Sequence, residues 1–424
     1  MMATRAHRRR RTAAAAALAV ALVAAGAACS GSGDSGSHVT IVEQDYYGAP
    51  TPDSTAPQYL ANFFKQYSKT HPGVTIKRQS PVSPNYSSLV LSQIASGAQP
   101  GLLMVDNPDL DQLASAGVLT PLDSLGNVDT AGMNPNNIQE TTYNGKLYAL
   151  PLYTNTIAIF YNKDILRKAG ITTLPKTWSD FRTVAKKLNT KDHYGFVFSG
   201  KAGPGQSTWQ FEPWLWSNGG DLTTINSAKS VQALDYWASL VKQGAAPRDV
   251  VNWDQSQPIQ LFEAGKAAFA ENGLWNIPTL KSQFKSLHWG VMTIPTRVVG
   301  QTVISPLGGE VWTIPKTTPA KERAAFALLQ EMAKTTNVVP LAKGLSDVPT
   351  RTSLWTEKTW SGPEYQPFLD ALKNGRSRTR DLTADYPQVE NIIGNATASA
   401  LIGKKSAQDA FDSAKHDIDK VLGS

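Results

Sequence analysis

A chain of 424 residues, 41% hydrophobic and 18% charged, is long enough for two cores, because a single core stops growing near ~250–300 residues. Its 11 Trp, 13 Tyr and 13 Phe exclude wholesale disorder. The formal charge of +7 is concentrated at one end: residues 1–28 hold Arg5, Arg8, Arg9, Arg10 and Arg11 and no acid, and 41 basic residues less these five leave 36 against 34 acids, a net of +2. That remainder lacks the positive field that nucleic-acid binding needs.

Residues 5–11 form a basic segment, and residues 12–28 an Ala-rich apolar run with Leu18, Val20, Leu22 and Val23. The small residues Gly26-Ala27-Ala28 then precede Cys29, the only cysteine. This is the pattern of an export signal peptide, and the apolar run falls short of the ~20 residues a membrane span requires. A cysteine directly after small residues resembles a bacterial lipobox, which implies lipidation at Cys29. Gly26 stands where that pattern prefers leucine. An ordinary cut after Ala25-Gly26-Ala27, leaving a free thiol, is the alternative. A lone cysteine allows no internal disulfide, and residues 30–37 (SGSGDSGS) read as a flexible tether.

Residues 39–42 read as a first strand, followed by a helix with Leu60, Phe63, Phe64 and Tyr67 on one face. Pro72-Gly73 ends it, residues 74–77 read as a second strand, and residues 86–95 as a second helix closed by Gly97. Residues 102–105 form an apolar strand ending at Asp106-Asn107-Pro108. This alternation predicts a largely parallel α/β sheet, in which ligands sit beyond the carboxyl ends of strands, where Tyr46, Asp106 and Asn107 fall. Further on, Thr177-Trp178-Ser179-Asp180 has the spacing of a capping box. Its helix buries Phe181, Val184, Ala185 and Leu188. Val231, Leu234, Ala238 and Val241 mark another helix, with Gly244 at its C-terminal cap. Thr318-Pro319 opens a third, and Ser406 with Asp409 caps the last. Trp178 and Trp237 read as core. Arg376, Arg378 and Arg380 alternate within a loop and read as a solvated face.

Several blocks resemble the bacterial extracellular solute-binding proteins of sugar-importing ABC systems, the maltose-binding-protein class. They are LASAGVLTPL at 113–122, NGKLYALP at 144–151, YNKD at 161–164 with Ala169-Gly170, PKTW at 175–178, FEAGKAA at 262–268 with Gly273-Leu274-Trp275, Gly308-Gly309 before a strand, and the stretch from Ile402-Gly403 to Ala410. One block is weak evidence, but their family order over residues 38–424 is specific. Gly101 departs from the aspartate that often follows the proline.

The resemblance implies an α/β, two-lobe periplasmic-binding-protein-like fold (type II), with discontinuous lobes joined by a hinge and a ligand cleft between them. Lobe 1 would comprise 38–152 plus 307–349, and lobe 2 would comprise 153–306 plus 350–424. Chain crossings are expected near 152–155, 305–308 and 347–351. The implied function is an extracytoplasmic, lipid-anchored receptor, not an enzyme. It would deliver a mono- or oligosaccharide to ABC importer permease subunits, working as a monomer without cofactor, metal or nucleic acid. Neutral sugars offer hydroxyl rims and apolar faces, so their binders combine carboxylates and amides with aromatic platforms. Residues of those types where the resemblance puts the cleft are Tyr46, Asp106, Asn107, Tyr153, Asn155, Trp214, Trp216, Asp221, Glu271, Asn272, Trp275, Gly309, Glu310, Trp312 and Arg351. The same fold holding a non-sugar solute, or a secreted glycoside hydrolase using paired carboxylates, are the alternatives. The six histidines are scattered, and the sequence contains no His-Glu-x-x-His and no G-x-S-x-G.

Overall fold

The computed structural model describes residues 38–51, 55–81 and 86–423; the leader, Cys29 and the tether lie outside them. Two sheets organise the chain. The first has five strands in the order Val74–Gln79, Val39–Gln44, Leu102–Asp106, Glu310–Thr313 and Ala149–Leu150. The second has four, in the order Trp289–Met292, Ile157–Asn162, Ala267–Gly273 and Tyr194–Val197.

Both sheets are mixed, where the alternation of strands and helices predicts a largely parallel one. Val39–Gln44 runs parallel to both of its neighbours, but Glu310–Thr313 is antiparallel to Leu102–Asp106, with Glu310 opposite Asp106. The reason is the path of the chain. It returns to the first sheet from the second, entering at the end where Leu102–Asp106 leaves, so the returning strand must run the other way. Ile157–Asn162 is likewise antiparallel to both neighbours in the second sheet.

Leu102, Leu103, Met104 and Val105 are all fully buried, as expected of a central strand covered on both faces. Helix Thr55–Thr70 covers one face with Leu60, Phe64 and Tyr67, and the Phe64 ring meets Trp312 edge-on at 6.3 Å. The second sheet is covered by an aromatic core in which Phe181 meets Phe196, Phe269 and Trp214, and Phe196 also meets Trp214. Helix Gln366–Lys373 packs on the second sheet, with Phe368 5.8 Å from Phe160.

The caps form where the sequence places them. Thr177 Oγ1 accepts from the Asp180 N–H (3.2 Å), Thr318 caps Pro319–Ala333, and Ser406 Oγ accepts from the Asp409 N–H (3.0 Å). Trp178 is core: its indole stacks on Tyr236 at 4.4 Å, and its Nε1–H donates to Pro295 O. Trp237 is fully buried. The segments that link the sheets lie side by side. Tyr153–Thr154 pairs with Val348–Pro349, Asn155 bridges Gly308, and Pro306 bridges Arg376. Among the described residues no helix is long and apolar enough to cross a membrane.

Candidate functional site

A cavity of about 340 Å³ opens where the strand ends of the first sheet meet elements of the second. Tyr46 and Tyr47 follow the Val39–Gln44 strand, Asp106 ends Leu102–Asp106, and Gly308-Gly309-Glu310 leads into the antiparallel strand beside it. Opposite them stand Gly205, Trp209 at the start of helix Ser207–Ser217, Gln255, and Trp275 just past Ala267–Gly273. Asn155, Leu345, Asp347 and Arg378 complete the wall from the crossing segments and the C-terminal loop.

The polar groups of the wall hold one another in place. Both Glu310 oxygens accept from phenols, Tyr46 Oη at 2.8 Å and Tyr47 Oη at 2.7 Å. Burial pushes the Glu310 carboxyl up, partly offset by those two hydrogen bonds. Asp347 accepts from Asn155 Nδ2 at 3.1 Å, and burial followed by the nearby Glu310 charge raises it well above the usual carboxylate range. Asp106 caps its own helix by accepting from the Asn107 N–H (2.9 Å) and receives Arg378 Nη2 at 2.7 Å. The Arg378 guanidinium lies 4.6 Å from the Trp209 ring centroid.

Two glycines make this packing possible. A Cβ at Gly273 would occupy the Trp275 ring, and one at Gly308 would collide with Asn155 Oδ1 and the edge of Trp209. Gly309 has φ +100°, a conformation that only glycine adopts readily. The result is a chamber with carboxyl oxygens to receive hydroxyl donors and two indoles to face apolar C–H surfaces. Among the described residues no group of His, Cys, Asp and Glu is arranged to hold a metal ion.

Of the residues singled out in the sequence, Tyr46, Asp106, Asn155, Trp275, Gly309 and Glu310 line this cavity. The others lie elsewhere. Asn107 is buried and donates to Glu140 (2.8 Å). Tyr153 and Trp312 bond each other (3.2 Å) within the first core. Trp214 is fully buried and gives its Nε1–H to Glu271, whose carboxyl burial drives well up. Asn272 supports the wall from behind, donating to Gln255 O (2.8 Å). Trp216 carries Arg376 on its face at 4.9 Å, and Asp221 pairs with that same arginine. Arg351 binds Asp129 (2.8 Å). The expectation of a solvated arginine face fails for Arg378, whose side chain is 3% exposed, because its loop folds across the cavity onto Asp106. Tyr47, Trp209, Gln255, Asp347 and Arg378 escape the sequence reading. Tyr47 adjoins a singled-out residue and Asp347 begins an expected crossing, but nothing marks Trp209 or Gln255.

Two mixed α/β sheets with a polar, aromatic-walled cavity between their strand ends define the architecture of a two-part binding protein. The match to bacterial extracellular solute-binding proteins spans residues 62–367, and the chain belongs to that family. It is 26% identical over 305 residues to a probable ABC transporter-binding protein of Deinococcus radiodurans, covering 68% of this chain and 71% of the relative. It is 24% identical over 316 residues to the maltodextrin-binding protein MdxE of Bacillus subtilis (68% and 69%) and 25% identical over 388 residues to a mannitol-binding protein of Pseudomonas aeruginosa (83% and 87%). The fold matches the cyclic alpha-maltosyl-1,6-maltose binding protein of Arthrobacter globiformis, with TM-score 0.78 and 22% identity over 91% of this chain and 99% of that one. It also matches the GacH receptor of Streptomyces glaucescens, with TM-score 0.77 and 24% identity over 91% and 98%. The chain is therefore a solute-binding receptor of the ABC transport class and not an enzyme.

Proposed function

We propose that this receptor binds a mono- or oligosaccharide, closes around it, and hands it to ABC importer permease subunits from a lipid anchor at Cys29 on the outer face of the cell membrane. The observation that carries the sugar reading is the cavity wall. Asp106, Glu310 and Asp347 supply carboxyl oxygens, Trp209 and Trp275 supply aromatic faces, and Arg378, the one basic residue of the wall among the described residues, is already paired. Phosphate or carboxylate solutes call for free cations, whereas sugar hydroxyls call for ordered acceptors. Relatives named for maltodextrin, maltooligosaccharide and mannitol point the same way.

Closure would carry the two sheets as separate bodies, with lobe 1 as 38–152 plus 307–349 and lobe 2 as 153–306 plus 350–424. In support, all five strands of the first sheet fall in the first set and all four of the second in the other. Calorimetric titration against a panel of maltodextrins, manno-oligosaccharides, monosaccharides and polyols tests the ligand. Heat from a saccharide is the expected result. Binding confined to an anionic or peptide solute would overturn the sugar assignment while leaving the receptor class intact.

A further inference from the structure

Residues 374–381 lead from helix Gln366–Lys373 into helix Tyr386–Leu401, whose Tyr386, Val389 and Ile393 pack in the core of the second sheet. On the way the loop pairs with the chain linking the sheets: Arg376 N–H donates to Ser305 O, and Leu307 N–H donates to Arg376 O, each at 2.9 Å. Arg378 then extends toward the first sheet. Its Nε donates to Leu307 O (3.1 Å), its Nη2 to Asp106 Oδ1 (2.7 Å) and its Nη1 to Asp106 Oδ2 (3.4 Å). Its flat face lies on Trp209. One side chain thus touches the end of a first-sheet strand, the backbone of a linking segment and an aromatic wall of the second sheet.

The charge around Arg378 makes it hard to replace. Besides Asp106, the acids Glu140, Glu212 and Glu390 and the phenol of Tyr386 act on it electrostatically, and all four are buried. A guanidinium can meet a carboxylate, a carbonyl and a ring at once because its donors spread in a plane; a lysine ammonium cannot. Asp106 in turn keeps part of its carboxylate exposed to the cavity, its side chain being 41% accessible while two donors fix it.

We propose that Arg378 is a positioning residue. It latches the C-terminal loop and its second-sheet helix to Asp106 of the first sheet, and so favours this arrangement of the two sheets through the protein's own contacts. The inference builds on the receptor reading above but needs no sugar for its test. A solute hydroxyl reaching Asp106 would then add to a chamber already tied shut on that side, in place of pulling two free bodies together.

The test is a distance measurement by pulsed electron paramagnetic resonance on the full chain carrying Cys29→Ser. Spin labels sit at Lys65→Cys, on an exposed turn of Thr55–Thr70, and at Lys186→Cys, on an exposed turn of Trp178–Leu188. Without solute, Arg378→Gln and Asp106→Asn should each move population to longer distances. The double variant should move it no further than either alone, and Arg378→Lys should fall between. A residue that merely stabilises the fold would lower the melting temperature and leave the distances of the folded protein unchanged. Unchanged distances in folded Arg378→Gln overturn the proposal. If that variant does not fold, unchanged distances in Asp106→Asn, which keeps the arginine, overturn it equally. Titration with maltotriose is recorded separately, so an absence of sugar binding bears on the receptor's ligand and not on the latch.

Discussion

Gly308 is the tightest point of the cavity wall, and one methyl group there should disturb both sides of it. Its N–H donates to Asn155 O (2.9 Å), while its carbonyl accepts from the Asn155 N–H (3.1 Å) and from Thr154 Oγ1 (3.0 Å). The backbone therefore cannot back away without losing these bonds. In Gly308→Ala the new Cβ would collide with Asn155 Oδ1 and with Trp209, so those side chains must yield. Asn155 would give up its bond to the buried Asp347 carboxyl, and Trp209 would slide under Arg378. Overpacking costs about 1–3 kcal/mol and a buried carboxyl left without its donor about 1–3 kcal/mol, so a total of about 2–6 kcal/mol is expected. Urea unfolding followed by tryptophan fluorescence measures it, with the midpoint shifting and the slope unchanged. Gly73→Ala, where nothing lies within 4 Å of the added carbon, should stay within about 0.5 kcal/mol of the parent. If Gly308→Ala is as harmless as Gly73→Ala, the wall is soft and the claim that its polar groups hold one another in place fails.

Other consequences are open to simpler experiments. Trp275→Ala, which removes an indole facing the cavity, should weaken saccharide affinity roughly tenfold, since an aromatic contact contributes about 0.5–1.5 kcal/mol beyond its area; calorimetry reads this, and unaltered affinity would place the sugar elsewhere. Burial raises Glu390 from 4.5 to about 7, so the folded chain keeps a proton there that the unfolded chain releases. Stability should therefore fall as pH rises from about 4.5 to 7, by about 3 kcal/mol from this group, and Glu390→Gln should flatten that part of the profile in urea melts. Asp111, raised by burial to about 6, adds a decline of the same sign at slightly lower pH, which Asp111→Asn should remove. Cys29→Ala should release the protein into the medium with its solute affinity intact; a variant that still sediments with membranes would remove the lipid tether from the picture.

What could be read in the sequence follows from how local each feature is. Caps at Thr177, Thr318 and Ser406 rest on a few adjacent residues, and they form as read. Asp106 was also accessible, because a strand followed by polar residues marks the end of a sheet wherever the rest of the chain goes, whereas Glu310, which begins its strand, came only through the family resemblance. The two prove to be register partners across an antiparallel pair, although more than 200 residues separate them in sequence. Strand direction was not accessible, since it depends on which end of the sheet the chain re-enters. The tryptophans show the same limit from another side. Trp214 and Trp275 both stand near glycines and polar residues, yet one is sealed under Glu271 and the other faces the cavity. Trp214 lies within the buried helix Ser207–Ser217, whereas Trp275 follows a strand whose last residue, Gly273, leaves space for its ring.

Arg378 is the instructive failure. Alternating arginines in a loop describe a solvated face equally well as a buried ion pair, because the pattern encodes charge and not its counter-charges. The acids gathered around it come from four separate places: Asp106 at a strand end, Glu140 as the last residue of a short helix, Glu212 within Ser207–Ser217 and Glu390 within Tyr386–Leu401. None is close to Arg378 along the loop itself. A guanidinium enters a protein interior only when its charge and donors are met there, and here they are met by groups the fold gathers from across the chain. The two-pronged pair with Asp106, the Leu307 carbonyl and the face of Trp209 meet the guanidinium's charge and donors, so Arg378 is buried while Arg380, two residues further on, pairs with exposed Asp381 and remains half exposed.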